Sequence, residues 1–176
     1  MKVNRNALSH PAFFNRYVEM VGEDSIIDLL VDSLEKMKLD MSIISNTNFD
    51  YAYAENKWTI KTLIRHCIDA EIIFMSRALA IARNDKNPIR SFDENEYAKE
   101  SIAGYQKEEL IEEFLHARKA NIFLFKGFKE DWLLSNEGRT DKGDAISLLS
   151  IAYIIIGHWL HHKKILTEKY GIKFNP

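Results

Sequence analysis

The chain has 176 residues, enough for one domain with a sizeable hydrophobic core. Apolar residues make up 46% and charged residues 28%, as in globular proteins, and the net charge of −2 argues against binding to nucleic acid or to an anionic membrane. The single cysteine, Cys67, excludes an internal disulfide and is typical of a reducing compartment. The longest apolar run, residues 148–160, is shorter than the ~20 residues of a membrane span, so we expect a soluble, cytoplasmic protein.

The first two predicted elements are long helices that follow an N-terminal arm, residues 1–22. Asp24 begins the first helix, in which apolar side chains recur at steps of three and four. Thr59 is typical of a residue that caps a helix N-terminus, and it predicts a second helix over residues 60–83. Each helix has one broad apolar face, as expected for helices that pack in a bundle.

A connection of 22 residues, 84–105, separates the second helix from the third. It is too long for an ordinary link between antiparallel neighbours. The third helix is predicted over residues 107–128 and the fourth over residues 144–170, with Gly171 as its C-terminal stop. The sequence shows neither strand-like alternation nor an internal repeat. It therefore predicts an all-α protein, a four-helix bundle that forms one domain over residues 1–176.

The second and fourth helices carry four histidines, three of which have the spacing of metal ligands. His158 and His162 are four residues apart in an apolar helix, so they share one face and can chelate one ion. His66 lies ~10 Å from the start of the second helix, and His162 lies ~12 Å from the end of the fourth. If these two helices are antiparallel, the side chains of His66, His158 and His162 lie at the same level along the bundle axis. That pairing requires an up-down-down-up order with a long crossover between helices two and three, which is where the 84–105 connection lies.

These histidines predict a site for one divalent transition metal, either zinc, nickel or iron, all of which accept imidazole ligands. Three histidines with open coordination positions are typical of a catalytic metal, which can activate water or a thiol or polarise a carbonyl. Asp69, three residues after His66, is a candidate to orient a ligand or act as a base, with a solvated helix acid as the alternative. His161 is an alternative ligand to His162.

Three neighbouring residues have mainly structural interpretations. Arg77 lies at nearly the same angle around the second helix as His66. We expect it to form an ion pair with acids of the 84–105 connection, with substrate binding as the alternative. Glu71 points elsewhere on the second helix and is predicted to pair with a cation. Gly157 inside a helix indicates close helix approach or room for a metal.

A different metal chemistry is suggested by Glu113 and His116, which form a Glu-x-x-His motif on the third helix. This is the local motif of di-iron carboxylate bundles, which need two copies and two further inward-facing glutamates. The sequence has one copy, so we do not predict a di-iron site.

Two segments of the chain carry a family resemblance. They are residues 58–71, with Trp-Thr-Ile-Lys leading to His66 and then Asp-Ala-Glu, and residues 157–162, Gly-His-Trp-Leu-His-His. With residues 77–86 and 92–97, they make the chain similar to the DinB-like family of damage-inducible, metal-binding four-helix bundles, which is related to bacillithiol-transferase-like proteins. The family pattern is one histidine, a second about ninety residues later and a third four residues on.

The resemblance implies an up-down-down-up bundle, often a homodimer, with an open metal site formed by His66, His158 and His162. Its members include thiol-dependent transferases and proteins assigned as hydrolases. We therefore expect a metal-dependent thiol S-transferase or hydrolase that uses a metal-activated thiol or water on a small-molecule substrate, with a low-molecular-weight thiol as a further expected partner. The alternative is a non-catalytic metal-binding bundle that acts through protein partners.

Overall fold

The computed structural model describes residues 8–99 and 104–175, so part of the predicted arm and part of the 84–105 connection lie outside the described residues. The long helices are α2 (Ile26–Ile44), α3 (Ile60–Ala82), α5 (Lys107–Lys126) and α7 (Leu148–Tyr170). The shorter elements are α1 (Asn15–Val18), which follows a 3-10 turn at Ala12–Phe14, α4 (Glu94–Lys99), α6 (Glu130–Ser135), β1 (Glu137–Arg139) and β2 (Ala145–Ser147). None of the helices in these ranges is both long and apolar enough to cross a membrane.

Contacts between α3 and α7 show that these two helices run antiparallel. The hydroxyl of Tyr170, at the end of α7, donates to the carbonyl of Trp58, just before α3, at 2.7 Å. Further along α3, the ring of Phe74 contacts His158, which lies earlier on α7, with ring centroids 6.1 Å apart. This antiparallel arrangement of α3 and α7 is the one that brings His66, His158 and His162 to the same level along the bundle.

The remaining helix directions complete the up-down-down-up order. On α3 and α5, Arg65 pairs with Glu113 and Glu71 pairs with Arg118, so both helices run the same way. The antiparallel pair α2 and α5 is joined at one end by Lys107, which donates to carbonyls at the end of α2. The long crossover between α3 and α5 is therefore confirmed, and so is the predicted all-α bundle.

The fourth long helix begins at Leu148, four residues later than predicted, because residues 145–147 form a strand instead. That strand, β2, pairs antiparallel with β1, with Ile146 opposite Gly138. Each strand has three residues, too few to show an alternating pattern in the sequence. The hydroxyl of Ser147 then caps α7 by accepting from the amide of Ser150 at 3.1 Å.

The other predicted boundaries differ less. The Thr59 cap of α3 is confirmed, since its hydroxyl accepts from the amide of Thr62 at 3.1 Å. Helix α2 begins at Ile26 after Ser25 at the cap position, and not at Asp24. Such shifts of two residues are ordinary for helix ends, where the terminal turn has few neighbours.

A buried arginine on α5, in the centre of the bundle, contacts the other three long helices. Arg118 on α5 is fully buried and forms an ion pair with Glu71 on α3. It also donates to the hydroxyl of Ser33 on α2 at 2.6 Å and to the carbonyl of Ile155 on α7 at 2.9 Å. Asn121 donates to the other carboxylate oxygen of Glu71 at 2.7 Å. The predicted pairing of Glu71 with a cation is confirmed.

The N-terminal arm crosses α7 at Gly157. A Cβ atom placed on this glycine would lie 2.0 Å from the carbonyl oxygen of Tyr17, which lies within α1. Close approach therefore explains the glycine, although the approaching backbone belongs to the arm and not to another long helix. The glycine lets Tyr17 reach the level of the histidines on α7.

We expect Gly157→Ala to lower the free energy of unfolding by about 1–3 kcal/mol, because the new methyl group must displace the Tyr17 backbone. In an unobstructed helix the same change would be stabilising by about 1 kcal/mol. Gly22→Ala, outside the helices, is a control for the steric effect alone, since the nearest atom to its added Cβ, on Leu29, lies at an ordinary 3.7 Å. Urea denaturation measures both, and an unchanged or more stable Gly157→Ala protein would contradict the assigned contact.

We expect Arg118→Met to lower the free energy of unfolding by about 3–5 kcal/mol, because it leaves the buried Glu71 carboxylate without its cation. The double variant with Glu71→Gln should recover much of this loss, since no unpaired charge then remains buried. Lys38→Met, which breaks an exposed ion pair with Glu35, should change stability by less than about 1 kcal/mol. Strictly additive losses in the double variant, measured by denaturant unfolding, would show that the two charges are not coupled.

Candidate metal centre

Three imidazole rings from α3 and α7 converge on one point. The Nε2 atom of His158 lies 3.1 Å from Nε2 of His66 and 3.1 Å from Nε2 of His162. One nitrogen from each ring can be chosen so that all three lie within 4.8 Å of one another. All three side chains are buried. The antiparallel helices therefore bring together the three histidines that the sequence singled out.

The separation of the three nitrogens suits a shared metal ion. Two nitrogens that each lie 2.0–2.1 Å from one metal at a tetrahedral angle are ~3.3 Å apart. A ring nitrogen carries either one lone pair or one hydrogen, so Nε2 of His158 cannot make two ordinary hydrogen bonds at once. A cation between the rings would satisfy all three lone pairs together. The donor set therefore fits zinc, nickel or ferrous iron.

The protonation states of the three rings agree with a role as ligands. Burial lowers the pKa of His66 to about 4, with His161 contributing further. Burial also lowers the pKa values of His158 and His162 well below the usual histidine value, and repulsion among the neighbouring rings adds to the shift. All three rings are consequently neutral near pH 7, the form in which imidazole binds a metal.

Aromatic side chains enclose this cluster on three sides. The ring of Trp58 packs on His66 with centroids 5.1 Å apart, and the ring of Tyr17 packs edge-on against His158 at 5.3 Å. Phe74 covers the side of His158 that faces along α3. Sequence reasoning assigned no role at the site to Tyr17 or Phe74. The one sequence signal for Tyr17 was Gly157, which marks where another backbone comes close.

The Asp69 carboxylate is held by Arg65. It accepts hydrogen bonds from the guanidinium at 2.9–3.0 Å, and Arg65 also pairs with Glu113 on α5 at 2.7 Å. Burial raises the pKa of Asp69, and the arginine offsets part of that rise. Asp69 therefore supports Arg65, the residue that joins α3 to α5, and it also borders the small cleft beside His66.

His161 lies beside the cluster and outside it. Its ring contacts Tyr17 and His162, with centroids 5.3 Å away in both cases. Among the described residues, the one group of three or more potential ligands is formed by His66, His158 and His162. The fourth residue after His158 belongs to that group and the third does not, and the role of His162 as a ligand stays a prediction.

The three histidines lie in the wall of a cavity of about 540 Å³. The other walls come from the N-terminal arm, α3, the crossover and the loop between β1 and β2. Backbone hydrogen bonds join the crossover to the hairpin, since the amide of Ile89 donates to the carbonyl of Arg139 at 2.8 Å and its carbonyl accepts from the amide of Asp141 at 3.0 Å. The crossover therefore does more than reverse the order of the helices, because it also forms one side of the cavity.

Arg77 lines the same cavity and does not form the predicted ion pair. Its Nη2 atom donates to the backbone carbonyl of Arg90 at 2.7 Å, so its partner in the crossover is a carbonyl and not a carboxylate. The Cζ atom lies 5.3 Å from the ring centroid of Phe74 and 5.7 Å from that of Phe92. The described acids of the crossover are exposed, and none of them forms an ion pair with Arg77.

Comparison with known proteins identifies the family of this chain. The family model of the DinB superfamily matches residues 37–166, which include all three histidines. The chain belongs to the DinB superfamily. No curated protein matches it. The resemblance noted from the sequence is confirmed.

Two solved structures share the fold. YfiT from Bacillus subtilis, described as a probable metal-dependent hydrolase with an unusual four-helix bundle topology, is 15% identical, has a TM-score of 0.69, and is matched over 90% of this chain and 99% of its own. A mycothiol-dependent maleylpyruvate isomerase is 19% identical with a TM-score of 0.54, over 78% of this chain and 61% of its own. The chain thus spans less than two thirds of the isomerase. At these identities the likeness shows the bundle fold alone.

We expect protein purified without chelator to contain about one divalent metal ion per chain, and His162→Ala to lose it, because two imidazoles bind far more weakly than three. His161→Ala is the matched control, one residue away, and should keep its metal. Elemental analysis gives the metal content, and melting temperature with and without added metal gives the coupling to folding. Equal metal loss in the two variants would show that the ligand is wrongly assigned.

Proposed function

We propose that the protein is a metal-dependent enzyme in which His66, His158 and His162 bind one divalent metal ion and present it to a small-molecule substrate. The observation that carries the proposal is the convergence of three buried, neutral imidazoles in the wall of a cavity of about 540 Å³. Three protein ligands leave coordination positions for other molecules, which is the arrangement of catalytic rather than structural metal sites. The cavity gives a substrate room to approach the metal.

The class of reaction follows from what such a metal supplies when bound: it lowers the pKa of a coordinated water or thiol and polarises a carbonyl. The chain's own residues would hold the ion through the three rings, against which Trp58 and Phe74 pack. We infer a hydrolase that uses activated water or a transferase that uses an activated low-molecular-weight thiol. The descriptions of YfiT as a probable hydrolase and of the isomerase as mycothiol-dependent support these two classes.

The position of Asp69 supports an indirect role. Its ion pair with Arg65 fixes the face of α3 on which His66 lies, and we propose that it positions that helix turn rather than abstracting a proton. A homodimer and a cytoplasmic location remain predictions. The first comes from the family resemblance, and the second from the single cysteine and the apolar pattern.

We expect metal-loaded protein to show activity in a panel of ester and amide hydrolysis and thiol-conjugation reactions, and His162→Ala to reduce it by at least about a hundredfold, because loss of the metal removes the activated nucleophile. His116→Ala, the same substitution on α5 outside the metal cluster, should keep full activity. Rates with zinc, nickel and ferrous iron added to metal-free protein would identify the active metal.

Two results would contradict the enzyme proposal. One is the absence of activity throughout the panel in fully metal-loaded protein that also binds another protein tightly, which favours a non-catalytic bundle acting through partners. The other is activity that His162→Ala leaves unchanged, which would separate the reaction from the metal.

A further inference from the structure

The cavity that contains the metal centre also contains a half-buried cation without a carboxylate partner. Arg77 has five N–H donors, and within residues 8–99 and 104–175 its one hydrogen bond is the one to the carbonyl of Arg90. No carboxylate in those ranges lies within ion-pair distance of it. The guanidinium therefore keeps most of its hydrogen-bonding capacity for another group.

The acid whose field acts on this cation does not neutralise it by direct contact. Asp141, in the loop between β1 and β2, accepts hydrogen bonds from the amide of Ser91 at 2.9 Å and from its hydroxyl at 2.6 Å. Burial lowers the pKa of Arg77, and the field of Asp141 offsets part of that effect. A partly buried charge that lacks a close counter-ion carries a desolvation cost, which an anionic ligand would reduce.

The guanidinium is also held in place. It lies against the rings of Phe74 and Phe92, so its loss of freedom on binding a ligand is small. Phe74 in turn contacts His158, so one aromatic ring separates the cation from the metal centre. A single small molecule can therefore reach both groups from within the same cavity.

We infer that Arg77 binds the carboxylate of the substrate, at the end away from the group that reacts at the metal. The substrate class is then a small organic acid whose carboxylate is separated from its reactive group by a short carbon chain. A planar guanidinium with free N–H groups matches a carboxylate better than a point charge would, because it can donate two parallel hydrogen bonds. This assignment rests on the proposed function, since it places the reacting end of the substrate at the three histidines.

Binding of thiols to cobalt-substituted protein tests the inference, because a thiolate on cobalt changes the visible absorption spectrum. The probes are 3-mercaptopropionate, 6-mercaptohexanoate and 8-mercaptooctanoate, each compared with the mercaptoalcohol of the same length. For the length that spans the gap, the carboxylate should bind about tenfold to a hundredfold more tightly than its alcohol, the range expected for hydrogen bonds to a charged group.

Three variants identify the residue responsible. Arg77→Gln should bind the carboxylate and the alcohol equally, and Arg77→Lys should keep part of the preference because it retains the charge. Lys142→Gln removes an exposed cation from the rim of the same cavity and should leave the preference unchanged. Unaltered binding of the alcohols by Arg77→Gln would show that this variant is folded with an intact metal centre.

The outcomes separate this inference from the proposed function. If thiols change the cobalt spectrum but acids and alcohols bind equally at every length, or if the preference survives in Arg77→Gln, the carboxylate site is wrong and the metal centre stands. If no thiol changes the spectrum, the metal-centre proposal fails. Thermal unfolding of metal-free protein with hexanoate or hexanol then tests the carboxylate site. If Arg77 binds a carboxylate, hexanoate stabilises the wild-type protein and does not stabilise Arg77→Gln.

Discussion

One buried charge pair holds the bundle in register. Arg118 contacts α2, α3 and α7 from its place on α5, and Glu71 receives both Arg118 and Asn121. A guanidinium in this position costs several kcal/mol unless its donors are paired, so alternative packings that separate these partners are strongly disfavoured. The carbonyl of Ile155 lies less than one turn before His158, so the arginine also holds α7 close to the candidate metal centre. The placement of the three histidines therefore depends on the Arg118–Glu71 pair, although the pair does not contact them.

Around this centre, two connecting segments make the site a cavity rather than an open groove. The long crossover lets α3 and α7 run antiparallel, and its Ile89 joins the small hairpin before α7. The N-terminal arm lies over α7 at Gly157 and brings the ring of Tyr17 against His158. The three histidines come from regular helices, which position them rigidly, while much of the remaining wall comes from loops and the arm. Such walls can vary with the substrate while the bundle stays the same.

Three sets of ionisable side chains lie in the cavity or beside it, and their charges are compensated in different ways. The histidines are neutral because burial and mutual repulsion disfavour protonation. Arg65 and Asp69 neutralise each other, and the pair ties α3 to α5 through Glu113. Arg77 alone of these has no such partner in the described part of the chain. A charged residue with a close counter-ion has a structural role here, and one without a counter-ion is a candidate to bind a ligand. The distinction rests on distances of a few ångströms.

The sequence by itself determined the four long helices, their order and the three histidines, because each rests on a periodic or spacing signal within one helix plus the length of one connection. His158 and His162 share a face by helical geometry alone, and the 84–105 connection brought His66 to their level. Only the tertiary structure decided the partners of Arg77, Glu71 and Tyr17. Those contacts join segments far apart in the chain, at side-chain distances that no local pattern encodes, and the three-residue strands before α7 form only because they pair with each other.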